Sequence, residues 1–169
     1  MKKIFFYLFF YLFFSNKVFA CNFHFQDFGS RSENLRINHV TLKNFDPVGG
    51  FKIMVPIESF CNEKQLAGTM VTLFYIDNEL VQIKLERFNQ QGRSLMDLGI
   101  RHYGNFKRSL GFDYNNWRGT HTWQTISEIA NYKASVNKDI VREDLQITSK
   151  RYLSKISEHH LKKERWNKF

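Results

Sequence analysis

The segment Thr69–Phe88, with the sequence TMVTLFYIDNELVQIKLERF, has the clearest secondary-structure pattern in this chain. Apolar and polar residues alternate on both sides of Asp77-Asn78-Glu79, and this period of two is typical of strands with one buried face. Asp and Asn favour tight turns, because their side chains bond to nearby backbone groups and tolerate left-handed conformations. The segment therefore predicts a β-hairpin.

Two registers of this hairpin are open. A three-residue tip sets the apolar residues of one parity against each other on the buried face: Val71, Leu73 and Tyr75 beside Leu85, Ile83 and Val81. A two-residue tip buries the other parity of the first strand: Met70, Thr72 and Phe74. The second set is the less apolar match, but the pattern alone does not choose between them.

A strand and a helix flank the hairpin. Alternation over Phe51, Ile53 and Val55 predicts one more strand ahead of it. After the hairpin, Ser94-Leu95-Met96-Asp97 has the pattern of a capping box, which predicts the start of a helix. Gly104 lies where a left-handed residue would end that helix after about ten residues. So short a helix needs a sheet to pack against.

The chain beyond this helix predicts a second hairpin. One parity from Ile126 to Val136 is apolar except for Glu128, while the other is mostly polar. A turn at Asn137-Lys138-Asp139 then leads to a returning strand with Val141, Leu145 and Ile147. A helix would fit a shorter stretch of the same region, through Trp123, Ile126, Ala130 and Ala134. The strand pattern is the longer match.

These elements add up to a single small α+β domain. Their order is strand, hairpin, helix, hairpin, helix, which predicts an antiparallel sheet of about four to five strands with helices packed on one face. The domain itself is expected over residues 21–151. A basic C-terminal helix or tail follows over residues 152–169.

The first twenty residues have the layout of a cleaved secretory signal peptide. Lys2 and Lys3 precede an unbroken apolar run over residues 4–14, and Ala20 offers a small residue at the cleavage position. Eleven apolar residues span about 16 Å as a helix, too short for a hydrocarbon core of about 30 Å. The alternative is an uncleaved membrane anchor. Export to the periplasm or the medium is the prediction.

Export gives the two cysteines a structural role. Cys21 and Cys61 are expected to form a disulfide, because the compartment is oxidising. Cys21 would also be the first residue of the mature chain, which resembles the arrangement of bacterial lipoproteins. Bulky Phe19 stands where that pattern has a small residue. A lipid-anchored Cys21 could not pair with Cys61, so the two alternatives compete for one sulfur atom, and the disulfide is favoured.

The positive charge lies mainly in the C-terminal tail. The formal net charge is +9, but three lysines leave with the signal segment, and residues 150–169 hold seven basic residues against two acidic ones. Lys162, Lys163, Arg165 and Lys168 suggest a weak contact with an anionic surface, with a solvated helix end as the alternative. No nucleic-acid partner is expected for an exported chain whose body is nearly neutral.

The familiar catalytic and cofactor motifs are missing from the sequence. Gly49-Gly50 is not followed by the Gly-Lys-Ser of a phosphate loop, and no Gly-x-Ser-x-Gly elbow occurs. A zinc site from Cys21, His24 and Cys61 would compete with the disulfide for its ligands. No cofactor and no metal are therefore predicted.

The segment over residues 106–123 is the predicted binding loop, because it combines aromatic rings with hydrogen-bonding side chains. Its candidate contacts are Tyr114, Asn115, Trp117, Arg118, His121 and Trp123. The alternative is that the two tryptophans only anchor the loop in the core.

Taken together, these features predict an exported, non-enzymatic protein that binds a partner protein or an envelope component. The alternative is a small secreted hydrolase whose acid and base converge only in three dimensions. Its available bases are His24, His102 and His121, with His121 and Asp113 as one conceivable pair.

Overall fold

The computed structural model describes residue 21 and residues 26–37, 42–89, 92–104, 116–137 and 140–168. The predicted signal segment lies outside the described residues, as do His24, Asp113, Tyr114 and Asn115. The strands are β1 Leu42–Phe45, β2 Gly50–Pro56, β3 Met70–Ile76, β4 Glu79–Asn89, β5 Gly119–Gln124, β6 Glu128–Asn137 and β7 Ile140–Ser149. The α-helices are α1 Ser94–Tyr103 and α2 Leu153–Trp166.

The seven strands form one antiparallel sheet in the order β1-β2-β3-β4-β7-β6-β5. The N-terminal four strands follow one another as a meander, and the last three do the same. Pairing of β4 with β7 joins these two halves in the middle of the sheet. Residues of β4 and β7 are therefore neighbours although about 60 positions separate them in the chain.

The predicted fold class was wrong in two respects. The sheet has seven strands rather than four to five, because β1 and β5 were missed. Both are edge strands: all four residues of β1 are exposed, and β5 buries only Trp123. Because these edge strands bury at most one side chain, they lack the apolar alternation that would reveal them. β5 also lies in the segment predicted to be a binding loop.

The second error concerns the helices, which pack on opposite faces of the sheet rather than on one. Leu95 of α1 belongs to the main core together with Leu73 of β3. Ile156 of α2 packs instead with Phe74, the next residue of the same strand. Successive side chains of a strand point to opposite faces, so the two helices lie on the two sides of the sheet.

The first hairpin combines the two open registers. Its turn has two residues, Asp77 and Asn78, which both have positive φ, as a type I′ turn requires. Beside the turn, Tyr75 lies opposite Leu80, but a bulge then shifts the register so that Leu73 lies opposite Ile83. The strand bodies therefore pair as the three-residue tip predicts, while the tip itself is shorter.

The start of α1 differs from the predicted capping box. Arg93 is the N-cap residue, and no side chain caps the helix locally. The Glu143 carboxylate from β7 accepts the backbone N–H groups of Leu95 at 3.4 Å and Met96 at 3.2 Å. A residue about 50 positions downstream thus does what Ser94 was expected to do. The predicted end is confirmed, since Gly104 has φ 89° and donates to the Ile100 carbonyl.

Gly99 allows α1 to approach the sheet closely. A Cβ atom at this position would lie 2.7 Å from the ring of Trp123, so any side chain would push the helix away. The missing side chain of glycine therefore permits this contact, although glycine has a low helix propensity.

The Cys21–Cys61 disulfide is present and joins residues 40 positions apart. Both cysteines contact the main core, Cys21 as a buried member and Cys61 as a partly buried one. A disulfide is compatible with an oxidising compartment outside the cytosol. Among the residues described, no helix combines the length and the apolar character needed to cross a membrane.

Candidate binding face

One face of the sheet carries the core, and the other is polar over β4, β7, β6 and β5. The core face holds the alternate residues Ile83, Leu145, Tyr132 and Trp123, which pack under α1 and the connecting segments. The intervening residues point the other way and line an open depression of about 380 Å³. This depression, here called the polar cleft, is lined by Lys84, Thr120, Asn131, Lys133, Ser135, Arg142, Asp144 and Gln146.

A network of four charged side chains lies along β4 and β7 at the polar cleft. Three of them line the cleft, and Glu86 is the fourth. Glu86 lies directly opposite Asp144, an arrangement that two like charges would normally disfavour. Lys84 Nζ lies 2.8 Å from Glu86 and 3.6 Å from Asp144. Arg142 approaches the same two carboxylates at 2.8 and 3.3 Å. Each carboxylate therefore has two cationic partners, and the four side chains hold one another in place.

The ionisation of Glu86 follows from this network. Partial burial by itself raises the pKa of Glu86, but hydrogen bonding and charge from Lys84, together with the hydrogen bond from Arg142, outweigh it. The pKa consequently lies below its usual value. At neutral pH Glu86 is a hydrogen-bond acceptor and not an acid.

Lys133 differs from the other two cations of the polar cleft. It lies opposite Asp144 on β7 and opposite Thr120 on β5, and its side chain is exposed. Within the described part of the chain, its ammonium group makes no ion pair. The face therefore carries three cations against two carboxylates, and the uncompensated charge is at Lys133.

Neutral hydrogen-bonding groups and one aromatic ring complete the surroundings of the polar cleft. Asn131 accepts a hydrogen bond from the Thr122 hydroxyl at 2.7 Å, which orients its amide. At one end, Phe88 is 65% exposed and lies on the same face as Arg142, whose guanidinium is 5.3 Å from the ring centroid. Ile140 is the exposed neighbour at that end.

The structure places the two tryptophans of the predicted loop on the opposite face. Trp123 is 6% exposed, its ring lies 6.4 Å from that of Tyr132, and its Nε1–H donates to the Gly104 carbonyl at 3.2 Å. Trp117 is partly buried and stacks on the same Tyr132 at 5.8 Å. The two tryptophans therefore come together around one core tyrosine, the arrangement that the anchoring alternative describes.

The remaining predicted contacts are dispersed. Arg118 is exposed, and His121 is partly buried with its ring 4.5 Å from that of Trp123. Burial lowers the pKa of His121. His102, another base of the hydrolase alternative, is exposed on α1 and packs against Tyr103.

The basic tail is partly engaged within the molecule. Lys163 of α2 binds Asp46 at 2.6 Å, and Lys162 pairs with Glu158 one helical turn earlier. Arg165 and Lys168 are exposed, as is Trp166 between them. Two of the four predicted tail contacts are thus directed at this chain's own carboxylates.

Neither the polar cleft nor the buried position of Glu143 was predicted from the sequence. Glu143 interrupts the apolar parity of β7, between Val141 and Leu145, and Glu128 interrupts β6 in the same way. Both are buried, and each accepts a tyrosine hydroxyl, Glu143 from Tyr132 at 2.8 Å. A lone acid on an apolar strand face was the signal for a buried polar contact.

Buried His159 holds α2 against the sheet. It is 4% exposed, and neither ring nitrogen has a hydrogen-bond partner among the described residues. The ring lies edge-on to Phe74 at 5.2 Å, and a Cβ atom on Gly50 would meet its Nε2 at 2.7 Å. Burial lowers the pKa of His159, although Asp46, 3.9 Å away, opposes the shift.

Acidification is expected to weaken the docking of α2 through this residue. An unfolded histidine titrates near pH 6.5, whereas the lowered pKa keeps His159 neutral to lower pH in the folded chain. The unfolded state therefore binds the proton more readily, so this contribution to stability is present above about pH 6.5 and is lost below it. Its neighbours cannot offset the charge: His160, Lys162 and Lys163 are basic, and the carboxylate of Asp46 is already bound by Lys163.

Urea unfolding of the wild type and His159→Phe over about pH 5 to 8 tests this expectation. The wild type should lose more stability than the variant as the pH falls, because phenylalanine keeps the contact with Phe74 and does not titrate. Since both proteins retain His121, their difference isolates His159. Exposed His160→Phe serves as the control and should follow the wild type. Parallel curves for His159→Phe and the wild type would contradict the expectation.

No group of three or more metal-binding side chains comes together within the residues that the structure describes. Comparison of the chain with protein-family models, curated proteins and solved structures found no match.

Proposed function

We propose that this protein is an exported, non-enzymatic binding domain whose ligand lies in the polar cleft. One observation carries the proposal: an open depression in the sheet face bears an ordered array of charged and amide groups, in which Lys133 makes no ion pair with any described residue. Pre-ordered groups favour binding, because little conformational freedom is left to lose.

The rigidity of the strands supports a binding role. The lining residues stand on four hydrogen-bonded strands and not on loops, so their spacing is set by the sheet. Lys84, Glu86, Arg142 and Asp144 also restrain one another. A ligand would meet donors and acceptors that need no rearrangement.

The electrostatics favour binding over hydrolysis. A two-carboxylate hydrolase needs one carboxyl group that stays protonated near neutral pH. The environment of Glu86 does the reverse, because Lys84 and Arg142 favour its charged form. Glu86, whose pKa is clearly lowered, therefore gives no support to the hydrolase alternative.

Export is part of the same proposal. The signal-like residues 1–20 and the Cys21–Cys61 bridge both point to an oxidising compartment outside the cytosol. The ligand is then a component of the cell envelope or of the medium. The lipid-anchored alternative requires a free Cys21 sulfur, which the disulfide does not leave.

Blocking the polar cleft tests the proposal. Oxidised protein is purified after export, and its saturable retention on sedimented cell envelopes is measured. Thr120→Trp places a bulky ring on the exposed cleft surface of β5 and should weaken retention by about tenfold or more. Lys133→Ala should act in the same direction.

Two matched variants serve as controls. Ile126→Trp adds the same ring at a fully exposed turn. Lys64→Ala removes an exposed lysine that does not line the cleft. Both should be retained like the wild type. If Thr120→Trp is retained equally well, or if Lys162→Ala with Arg165→Ala abolishes retention instead, the ligand does not occupy the polar cleft.

A further inference from the structure

We infer that the ligand of the polar cleft is an oligosaccharide that carries carboxylate groups; this inference rests on the proposed function. Its first ground is the absence of apolar lining. All eight lining residues of the cleft are polar or charged. Most pockets for small organic molecules are lined mainly by apolar side chains, so a lipid chain or a flat aromatic ligand does not suit this surface.

The charge of the polar cleft sets the charge of the ligand. Lys133 is the cation without an internal partner in the described chain, and neutralising it needs a single negative charge. Asp144 lies directly opposite it on β7, with Glu86 one strand further, and both would repel a doubly charged phosphate. One carboxylate group placed at Lys133 matches this balance better than a phosphate does.

The neutral groups point to hydroxyl partners. Asn131 and Gln146 offer amide donors and acceptors, Thr120 and Ser135 offer hydroxyls, and the paired carboxylates keep free lone pairs. Vicinal hydroxyl groups of a sugar both donate and accept, so they can satisfy such a mixed set. A peptide would instead seek free backbone groups, and the backbones of β4, β7 and β6 under the cleft are already paired on both sides.

Phe88 extends the same surface in a way that suits a chain of sugar rings. It is 65% exposed at one end of the face, beside Arg142. An exposed aromatic ring offers an apolar platform to the C–H face of a sugar. The platform, the hydroxyl-binding centre and the cation at Lys133 then contact successive parts of one ligand.

Calorimetric titration of the oxidised protein tests the inference with four probes. These are tetrasaccharides of galacturonate and of mannuronate, a neutral galactose tetrasaccharide, and an oligoglutamate of equal charge. A uronate tetrasaccharide should bind at least about tenfold more tightly than the neutral one and the oligoglutamate. Lys133→Ala should remove most of the difference in affinity between the uronate and the neutral tetrasaccharide, while Lys133→Arg should retain that difference.

Further variants separate the parts of the site. Phe88→Ala should weaken uronate binding by a few fold, and Lys64→Ala should leave it unchanged. Equal binding of oligoglutamate would overturn the inference, because charge alone would then explain the site. Equal binding of the neutral tetrasaccharide would overturn the role of Lys133.

The outcome also separates this inference from the proposed function. If no uronate binds while Thr120→Trp still abolishes envelope retention, the ligand class is wrong and the binding face stands. If envelope retention does not depend on Thr120 either, both fail together.

Discussion

Replacing Glu143 with alanine is expected to lower the free energy of unfolding by about 3–5 kcal/mol. The side chain is fully buried, and its carboxylate accepts the Tyr132 hydroxyl and the first N–H groups of α1 at Leu95 and Met96. Burial raises the pKa of Glu143, while hydrogen bonds from Tyr132, Met96 and Leu95 and the charge of buried Arg93 oppose the shift. Alanine would remove the acceptor that three buried donors share, and losing one partner of a buried hydrogen bond is the costly way to break such a cluster.

Chemical denaturation of three variants measures this effect. Glu143→Gln keeps an acceptor for Tyr132 and should cost less than Glu143→Ala. Glu86→Ala is the matched control, since it removes a solvent-accessible carboxylate from the ion pairs of the polar cleft. Such pairs contribute about 0–1 kcal/mol. If Glu143→Ala costs no more than Glu86→Ala, the carboxylate does not organise the start of α1.

Loss of the Cys21–Cys61 disulfide is expected to cost about 4 kcal/mol. The bridge closes a loop of 40 residues, and without it the unfolded chain regains the conformational freedom that the loop removes. The bridge also holds Cys21 against the core. Cys61→Ser and reduction of the wild type should therefore destabilise to the same extent.

Guanidinium unfolding of the oxidised and reduced protein gives this difference directly. The intact mass of the exported protein supplies an independent check. Loss of two hydrogens after cleavage behind Ala20 corresponds to the bridge, whereas a diacylglyceryl increment corresponds to the lipid anchor. Equal midpoints for the oxidised and reduced chains would show that the bridge contributes nothing to stability.

Local patterns predicted the elements whose partners are close in the chain. The strand pair around Asp77-Asn78 follows from alternation and turn chemistry. A strand with one buried face alternates apolar and polar residues, and this pattern is visible within the segment itself. The end of α1 at Gly104 follows for a similar reason, since a left-handed residue is a local requirement. The cysteine pairing follows from the count of two in a chain expected to be exported.

The polar cleft could not be predicted in this way. Its wall consists of β4 and β7, and Glu86 meets Asp144 only because the two halves of the sheet join in the middle. In the sequence, Lys84, Glu86, Arg142 and Asp144 are ordinary polar positions on the outer face of two hairpins. Nothing local distinguishes a solvated strand face from one that forms a binding surface.

Sequence patterns were enough to predict the hairpins, the C-terminal end of α1, the disulfide and the apolar side of each central strand, since each depends on residues near in the chain or on simple counting. Tertiary structure alone decided the exposed edge strands, the placement of α1 and α2 on opposite faces, the capping of α1 by Glu143 and the array around Lys133. These depend on which strands become neighbours across the sheet. That pairing is set by the packing of the whole core, and no single segment of the chain encodes it.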